Sequence, residues 1–142
     1  MAKYSVFDCS MVELDKHHSD RKGNLTVVEN GSTLPFDVKR VYYLYDVPGG
    51  EDRGGHAFVA NQEFVVALSG SFDVVVDDGV TKKTFSLNRS YYGLYIPAGL
   101  WRTMENFSTN SLALEFGSAH YSAADYVRDY EQFLKMKQND EI

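Results

Sequence analysis

Four residues near the middle of the chain could together do chemistry. His56 and Phe58 are two residues apart in a strand-like segment, so their side chains should point to the same face. Glu63 begins the next strand-like run, and Arg102 lies further along the chain. An imidazole has an ordinary pKa of about 6.5, so it can accept and return a proton near neutral pH. The set therefore predicts proton transfer at His56, with Glu63 either orienting the imidazole or pairing with Arg102.

The same residues argue against a metal centre. A catalytic ion needs about three or four converging ligands, but a phenyl ring has no lone pair to offer and an arginine keeps its proton. Phe58 and Arg102 therefore predict a site that binds no metal and uses no cofactor. A histidine buried in the core is the alternative interpretation of His56. The polar, glycine-rich approach Asp52-Arg53-Gly54-Gly55 instead favours contact with a ligand.

Composition limits the possible partners. The 142 residues include 14 Lys and Arg and 20 Asp and Glu, and this net charge of −6 argues against nucleic acid. An anionic ligand must therefore meet a local group of cations, for which the candidates are Lys39, Arg40, Arg53 and Arg102. The single cysteine, Cys9, excludes an internal disulfide. Neither a secretion signal nor an apolar run of membrane-spanning length is recognisable, which predicts a cytoplasmic protein without membrane contact.

Short strand-like runs recur and predict one all-β domain over residues 1–142. They are rich in Val, Tyr, Phe and Leu and are separated by Gly, Asn, Asp and Pro, which is typical of an antiparallel sandwich or barrel. The runs are 4–9, 25–29, 39–46, 63–68, 72–76, 83–87, 93–96 and 111–116. Ser69-Gly70 and Asp77-Asp78-Gly79 predict tight hairpins. From Ser122 the pattern becomes helical, with Ser122 and Asp125 as its capping pair, and residues 138–142 are expected to fray.

Two segments resemble the motifs of the cupin family. The first motif is matched by Gly50, His56, Phe58, Glu63 and Gly70, and the second by Pro97, Gly99, Arg102 and Asn106. The resemblance implies a cupin jelly roll, a double-stranded β-helix barrel, here followed by a C-terminal α-helix. In such a barrel the inward-facing residues of neighbouring strands share one cavity. We therefore expect His56, Phe58 and Glu63 to meet there.

Five segments together resemble the sugar 3,4-ketoisomerase family, which acts on dTDP-4-keto-6-deoxy-D-glucose. They are residues 20–25, 39–43, 53–57, 93–98 with Trp101, and 125–130 with Phe133. The resemblance implies a metal-independent isomerase that forms a dTDP-3-keto-6-deoxyhexose through an enediolate. It also implies a role in making 3-amino-3,6-dideoxy sugars for surface polysaccharide such as lipopolysaccharide. A homodimer with exchanged N-terminal strands is implied as well.

Roles for individual residues follow from this resemblance. His56 would work on the sugar, helped by Tyr43 and Arg53, whose hydroxyl and guanidinium could stabilise the enediolate. Residue chemistry gives further candidates for substrate contact: Arg40 and Arg102 on the diphosphate, Phe58, and Tyr95 and Trp101, which would either stack on the base or sugar or pack in the barrel.

Three positions depart from the family pattern. The family's second histidine is Phe58 here, a later histidine is Arg102, and a glutamine is Glu63. This site must therefore use His56 alone, recruit Glu63 or a tyrosine, or have lost or altered its activity. Two alternatives to the ketoisomerase follow: a catalytically silent cupin that binds a dTDP-sugar, and a cupin resembling the 3,5-epimerases.

Overall fold

The computed structural model describes residues 4–142, which form twelve strands and one α-helix. The strands are β1 (Ser10–Glu13), β2 (Lys16–Ser19), β3 (Gly23–Thr26), β4 (Arg40–Tyr45), β5 (Arg53–Phe58), β6 (Glu63–Ser69), β7 (Phe72–Asp77), β8 (Lys82–Leu87), β9 (Tyr92–Ile96), β10 (Trp101–Glu105), β11 (Leu112–Gly117) and β12 (Tyr126–Val127). The helix α1 spans Tyr130–Gln138.

Ten of these strands form two antiparallel sheets of five. The first sheet has the order β1-β9-β6-β11-β4, and the second has the order β12-β5-β10-β7-β8. Within residues 4–142, strands β2 and β3 pair only with each other. This architecture confirms the prediction of an all-β, cupin-like sandwich with a C-terminal helix.

A hydrophobic core fills one part of the space between the sheets. On β7 the side chains of Phe72, Val74 and Val76 are all buried, as the period of two in a strand requires. They pack with Leu94 and Ile96 of β9 in the opposite sheet. Each such side chain stabilises the fold by roughly 1.5 to 3 kcal/mol through its removal from water. These contacts hold the two sheets together.

Only one of the two predicted hairpins exists. Asp77-Asp78-Gly79 connects β7 to β8, which pair along their length, and Gly79 has a positive φ of 90°. Ser69-Gly70 instead connects β6 in the first sheet to β7 in the second. The reason is that β6 already pairs on both edges, with β9 and β11.

The N-terminal segment differs from the prediction. The run 4–9 is not a strand, because Val6–Asp8 form a short 3-10 helix and the first strand starts at Ser10. Ser5 and Asp8 form a capping box. The Ser5 side chain accepts a hydrogen bond from the backbone N–H of Phe7, and the Asp8 side chain accepts one from the backbone N–H of Ser5. The predicted strand 25–29 likewise ends at Thr26.

The C-terminal helix starts later than predicted. Ser122 precedes only a three-residue 3-10 helix and makes no side-chain cap. The Asp125 side chain instead accepts hydrogen bonds from the backbone N–H groups of Ala60 and Asn61. Helix α1 is capped by Asp129, and the end of the chain does not fray, since Ile142 is buried in a cluster with α1.

The first strand pairs within its own chain, with Ser10 of β1 opposite Tyr95 of β9. The homodimer with exchanged N-terminal strands stays a prediction. None of the helices in residues 4–142 has the length and apolar character needed to cross a membrane.

Candidate active site

A cavity of about 360 Å³ opens between the two sheets, and we call it the central cavity. Its walls come from both sheets and from the segment that follows β12. The lining residues are Tyr42, Leu44, Arg53, Gly54, Gly55, His56, Arg102, Met104, Glu115, Tyr126 and Arg128. The volume falls within the range of small-molecule sites. Three arginines among the lining residues provide the local group of cations that an anionic ligand needs in an acidic protein.

Strand β5 carries His56 into the central cavity. His56 and Phe58 share one face of the strand, as predicted, and their ring centroids are 4.8 Å apart in an edge-on arrangement. Gly54 lies on the same face with a φ of +85°, a conformation that L side chains rarely adopt. A Cβ at this position would lie 3.7 Å from Cε1 of His56. The glycine therefore keeps space open beside the imidazole.

The environment of His56 keeps its imidazole neutral. Burial, together with the positive charges of Arg102, Arg128 and Arg40, lowers the pKa of His56 to about 3. Its Nε2 atom is buried and has no hydrogen-bond partner within residues 4–142. A neutral imidazole has a lone pair, so His56 can accept a proton from a bound molecule.

Phe58 is buried behind the residues that line the central cavity. The side chain is 1% exposed, and its ring lies 4.7 Å from the guanidinium carbon of Arg102 and 5.5 Å from that of Arg40. Such cation–π contacts stabilise a desolvated guanidinium. Phe58 also packs edge-on against Tyr126 at 4.6 Å. It therefore supports the groups that line the central cavity and is not itself among the lining residues.

Two carboxyl groups and one guanidinium are buried together beneath the central cavity. Arg102 forms an ion pair with Glu63, and the two side chains are 3% and 1% exposed. Glu63 lies opposite Gly117 in the pairing of β6 with β11, so Glu115 lies two residues along on the same face. The Glu63 and Glu115 carboxyl groups are hydrogen-bonded to each other, and we call them the carboxyl pair. Pairing of Glu63 with Arg102 is one of the two alternatives that the sequence predicted.

Burial shifts the titration of this cluster toward uncharged forms. It raises the pKa of Glu115 to about 7, against the opposing effect of Arg102. Burial and the charge of Glu115 also raise the pKa of Glu63. Desolvation lowers the pKa of Arg102 to about 10, which still leaves it protonated at neutral pH. The carboxyl pair therefore holds one proton between its two members near pH 7.

The tyrosine of β4 that faces the cavity is Tyr42, not the predicted Tyr43. Side chains alternate along β4, and Tyr43 points outward, where it is 59% exposed and lies 5.8 Å from Tyr45. Tyr42 lines the central cavity, and its hydroxyl is buried without a hydrogen-bond partner in the described part of the chain. A change of one position along a strand moves a side chain to the opposite face.

Trp101 and Tyr95 lie away from the central cavity. Trp101 is adjacent to Arg102 on β10 and therefore faces the other side, where its ring lies 5.2 Å from that of Tyr130. The Tyr95 hydroxyl donates a hydrogen bond to the Gln62 side chain at 2.7 Å. The structure thus does not bring these two aromatic residues to His56.

Arg53 and Arg40, two further predicted site residues, lie at different depths in the structure. Arg53 is exposed at the mouth of the central cavity. Arg40 lies further in, with Nη2 donating to the Tyr126 hydroxyl at 3.5 Å. Tyr126 and Arg128 were not predicted as site residues because their segment was assigned to a helix. Tyr126 instead lies in the short strand β12, and Arg128, two residues further along, lines the same cavity.

The arrangement combines groups suited to moving protons and stabilising negative charge. A neutral imidazole, a phenol hydroxyl and a protonated carboxyl pair surround one space, and guanidinium groups make its potential positive. Residues 4–142 contain no cluster of three or more His, Cys, Asp or Glu that could hold a metal ion.

Both the sequence and the fold are similar to those of known sugar 3,4-ketoisomerases. Residues 7–138 match the family described as FdtA: WxcM-like, C-terminal. The TDP-4-oxo-6-deoxy-alpha-D-glucose-3,4-oxoisomerase of Aneurinibacillus thermoaerophilus is 36% identical over 116 residues, which cover 82% of this chain and 84% of that protein. The 3,4-ketoisomerase of Helicobacter canadensis is 36% identical with a TM-score of 0.89, covering 92% of this chain and 98% of that chain.

A third relative was solved with a sugar nucleotide. It is a histidine-to-asparagine mutant of the 3,4-ketoisomerase QdtA from Thermoanaerobacterium thermosaccharolyticum, in complex with TDP-4-keto-6-deoxyglucose. It is 27% identical with a TM-score of 0.91, covering 95% of this chain and 97% of that chain. Because the family match spans nearly all of the described residues, the chain belongs to the FdtA, WxcM-like C-terminal family of TDP-sugar 3,4-ketoisomerases.

Proposed function

We propose that the chain is a sugar nucleotide 3,4-ketoisomerase that acts on TDP-4-keto-6-deoxyglucose within the central cavity. The observation that carries this proposal is the buried, neutral His56 among arginines, on a fold shared along almost the whole chain with 3,4-ketoisomerases. The QdtA complex with TDP-4-keto-6-deoxyglucose supports this choice of substrate.

The reaction needs a base, donors for an oxyanion and a proton donor. The C4 carbonyl acidifies the hydrogen at C3, and its removal gives an enediolate. A proton added at C4 then completes the transfer of the carbonyl to C3. This is general acid–base chemistry, and it needs no cofactor.

His56 is the base in this proposal. Its low pKa makes it weak in the free protein, but the substrate carries a diphosphate whose negative charge offsets the nearby arginines. Binding therefore raises the pKa of His56 toward its ordinary value, because a neighbouring anion favours the imidazolium. The base becomes stronger only when substrate is present.

The enediolate needs hydrogen-bond donors, and Tyr42 and Arg53 are in position to provide them. Tyr42 takes the role that the sequence assigned to Tyr43. A donor in a desolvated site stabilises a developing oxyanion by several kcal/mol. Arg53 and Arg128 near the opening could also engage the diphosphate, whereas Arg102 is held by Glu63 and acts through its charge.

Several further features belong to the same proposal. A homodimer with exchanged N-terminal strands and a role in making 3-amino-3,6-dideoxy sugars rest on the family resemblance, whereas a cytoplasmic location and a single domain over residues 1–142 rest on the length and composition of the sequence.

The test is incubation of the purified protein with TDP-4-keto-6-deoxyglucose in deuterated buffer, followed by proton NMR. We expect a 3-keto product that carries deuterium at C4. The variant His56→Asn should form it at least about 100-fold more slowly, because a general base contributes this much or more. The exposed His120 provides a matched control, and His120→Asn should be as fast as the wild type.

Three results would reject the proposal. An unchanged spectrum despite measurable binding of the sugar nucleotide would identify a silent binding protein. Deuterium at C5 without a 3-keto product would identify an epimerase. A rate for His56→Asn within a few-fold of wild type would place the base elsewhere.

A further inference from the structure

The carboxyl pair has no function in the mechanism above, although it lies against the central cavity. Its two members differ in access to that space. Glu115 is a lining residue, whereas Glu63 is 1% exposed and lies behind it, held by Arg102. A buried carboxyl pair is costly because burial disfavours every charged form. Its position at the cavity wall offers a reason for that cost.

A 3,4-ketoisomerase must move two hydrogens. One moves from C3 to C4, and the other moves from the hydroxyl oxygen O3 to the former carbonyl oxygen O4. An imidazole that takes the carbon-bound hydrogen is occupied while the hydroxyl proton moves. A second group that can donate to O4 and accept from O3 would solve this problem. A carboxyl group can do both in turn, because its carboxylate accepts a proton and the acid so formed donates it.

We propose that Glu115 carries the hydroxyl proton from O3 to O4, and that Glu63 is a positioning residue whose hydrogen bond to Glu115 leaves the Glu115 carboxylate facing the central cavity. This inference rests on the proposed function. It goes beyond it by naming a second catalytic residue at the same site.

The step balances in atoms and electrons. His56 takes the proton from C3, and the electron pair of that C–H bond forms the C3=C4 double bond. The carbonyl π pair moves to O4, which gives the enediolate that Tyr42 and Arg53 stabilise. The Glu115 carboxylate takes the proton of O3 and delivers it to O4, and the O–H bonding pair left on O3 becomes the new carbonyl π bond. The C3=C4 pair takes a proton at C4 from His56, which has exchanged its proton with solvent, so both residues return to their starting forms.

The surroundings favour this division of labour. The hydrogen bond between the two carboxyl groups raises the pKa of Glu63 and lowers that of Glu115, and Arg102 also lowers the pKa of Glu115, so the proton of the pair lies on Glu63. Burial brings the pKa of Glu115 to about 7, so its carboxylate can take up a proton and return it near neutral pH. Other titratable or charged groups also face Glu115 from the packed elements: Arg40 and Tyr42 of β4, Arg53 and His56 of β5, and Tyr126 and Arg128 at β12.

The variant Glu115→Gln separates the two hydrogen transfers. An amide keeps the size of the side chain and can donate and accept hydrogen bonds, but it cannot transfer a proton at this pH. We expect the 3-keto product to form at least about 100-fold more slowly. Exchange of the C3 hydrogen of the substrate with deuterium should stay within about five-fold of wild type, because His56 still acts on carbon.

Two outcomes would overturn the inference. One is product formation by Glu115→Gln within a few-fold of wild type. The other is an equal loss of C3 exchange and product formation, which would show that Glu115 only shapes the site. Failure of the proposed function is a different result, since the wild-type protein would then form no 3-keto product. The variant Glu131→Gln on the exposed side of α1 is the matched control and should keep both rates.

The pH profile tests the positioning role of Glu63 independently. Glu115 must be a carboxylate to accept the proton of O3, so the wild-type rate should fall as pH falls through the pKa of Glu115. In Glu63→Gln, Arg102 loses its partner and faces Glu115 alone, which favours the Glu115 carboxylate. We therefore expect this fall in rate to occur at lower pH by about one unit or more. An unchanged profile would reject the role of Glu63.

Discussion

The buried ion pair between Arg102 and Glu63 gives the most quantitative prediction. The substitution Arg102→Met keeps most of the alkyl volume but removes the cation that balances the carboxyl pair. That pair already holds one proton near neutral pH. The remaining carboxylate must therefore either stay charged without a partner or take up a second proton.

Protonation sets an upper limit on the cost. A glutamate has an ordinary pKa of 4.5, so protonating one at pH 7 costs 2.5 pKa units, or about 3 kcal/mol at 1.36 kcal/mol per unit. At pH 5 the same step covers half a unit and costs about 0.7 kcal/mol. The sign follows from linkage: a pKa raised in the folded state makes the group stabilising at low pH and destabilising as pH rises.

Urea denaturation at pH 7 and at pH 5 measures this difference. We expect Arg102→Met to lower the free energy of unfolding by about 3 kcal/mol at pH 7 and by less than about 1 kcal/mol at pH 5. Arg89→Met, at an exposed arginine, should change it by less than about 0.5 kcal/mol at either pH. A cost for Arg102→Met that is the same at both pH values would refute the reasoning, since it would reflect lost packing and not an uncompensated charge.

Two further predictions test the faces of β4 and β9. Tyr42→Phe should lower the rate of isomerisation by about 100-fold because it removes a donor to the oxyanion, whereas Tyr43→Phe should stay within about two-fold in the same NMR assay. A reversed order would mean that β4 presents its other face to the substrate. On β9, Gly93→Ala would make a Cβ overlap the Cζ edge of the Phe64 ring and should lower the free energy of unfolding by about 1 to 3 kcal/mol. Gly49→Ala meets no atom within 4 Å and should be close to neutral by urea denaturation, so equal effects of the two substitutions would contradict the packing described for β9.

Most of the strands could be predicted from the sequence because their apolar residues alternate between turn-forming residues. The failures have local causes. In residues 4–9 the β-forming residues Tyr4, Val6 and Phe7 were given more weight than the Ser5 and Asp8 pair, which caps a short turn. At the other end Asp125 was available as a helix cap, but it binds the backbone of the loop between β5 and β6 instead. Only tertiary structure decides between those two uses of one carboxylate.

Part of the candidate site could also be predicted. The spacing of His56 and Phe58 was sufficient to place them on one face, since the period of a strand is fixed. The face of β4 was not predictable, because Arg40-Val41-Tyr42-Tyr43-Leu44-Tyr45 has large apolar or aromatic side chains on both faces. Glu115 did leave a signal: it is the one charged residue within Leu112–Gly117 and lies on the same face as buried Ala113. A charge at that position indicates an inward-facing polar group with a function.

The replacement of the family's second histidine by Phe58 is consistent with the charges around it. An imidazole at position 58 would lie next to the guanidinium groups of Arg102 and Arg40, which now contact the phenyl ring. These charges and the burial would hold it in the neutral form, as they hold His56. A neutral imidazole is a base, so a second histidine would add a base and no acid.

A buried carboxyl behaves in the opposite way. Burial favours the neutral form of both groups, but the neutral form of a carboxyl is an acid. The same desolvation that makes His56 a base therefore brings the pKa of Glu115 to about 7, where this group can both accept and return a proton. One physical cause thus yields both of the groups that the isomerisation needs, and the hydrogen bond from Glu63 leaves the Glu115 carboxylate facing the central cavity.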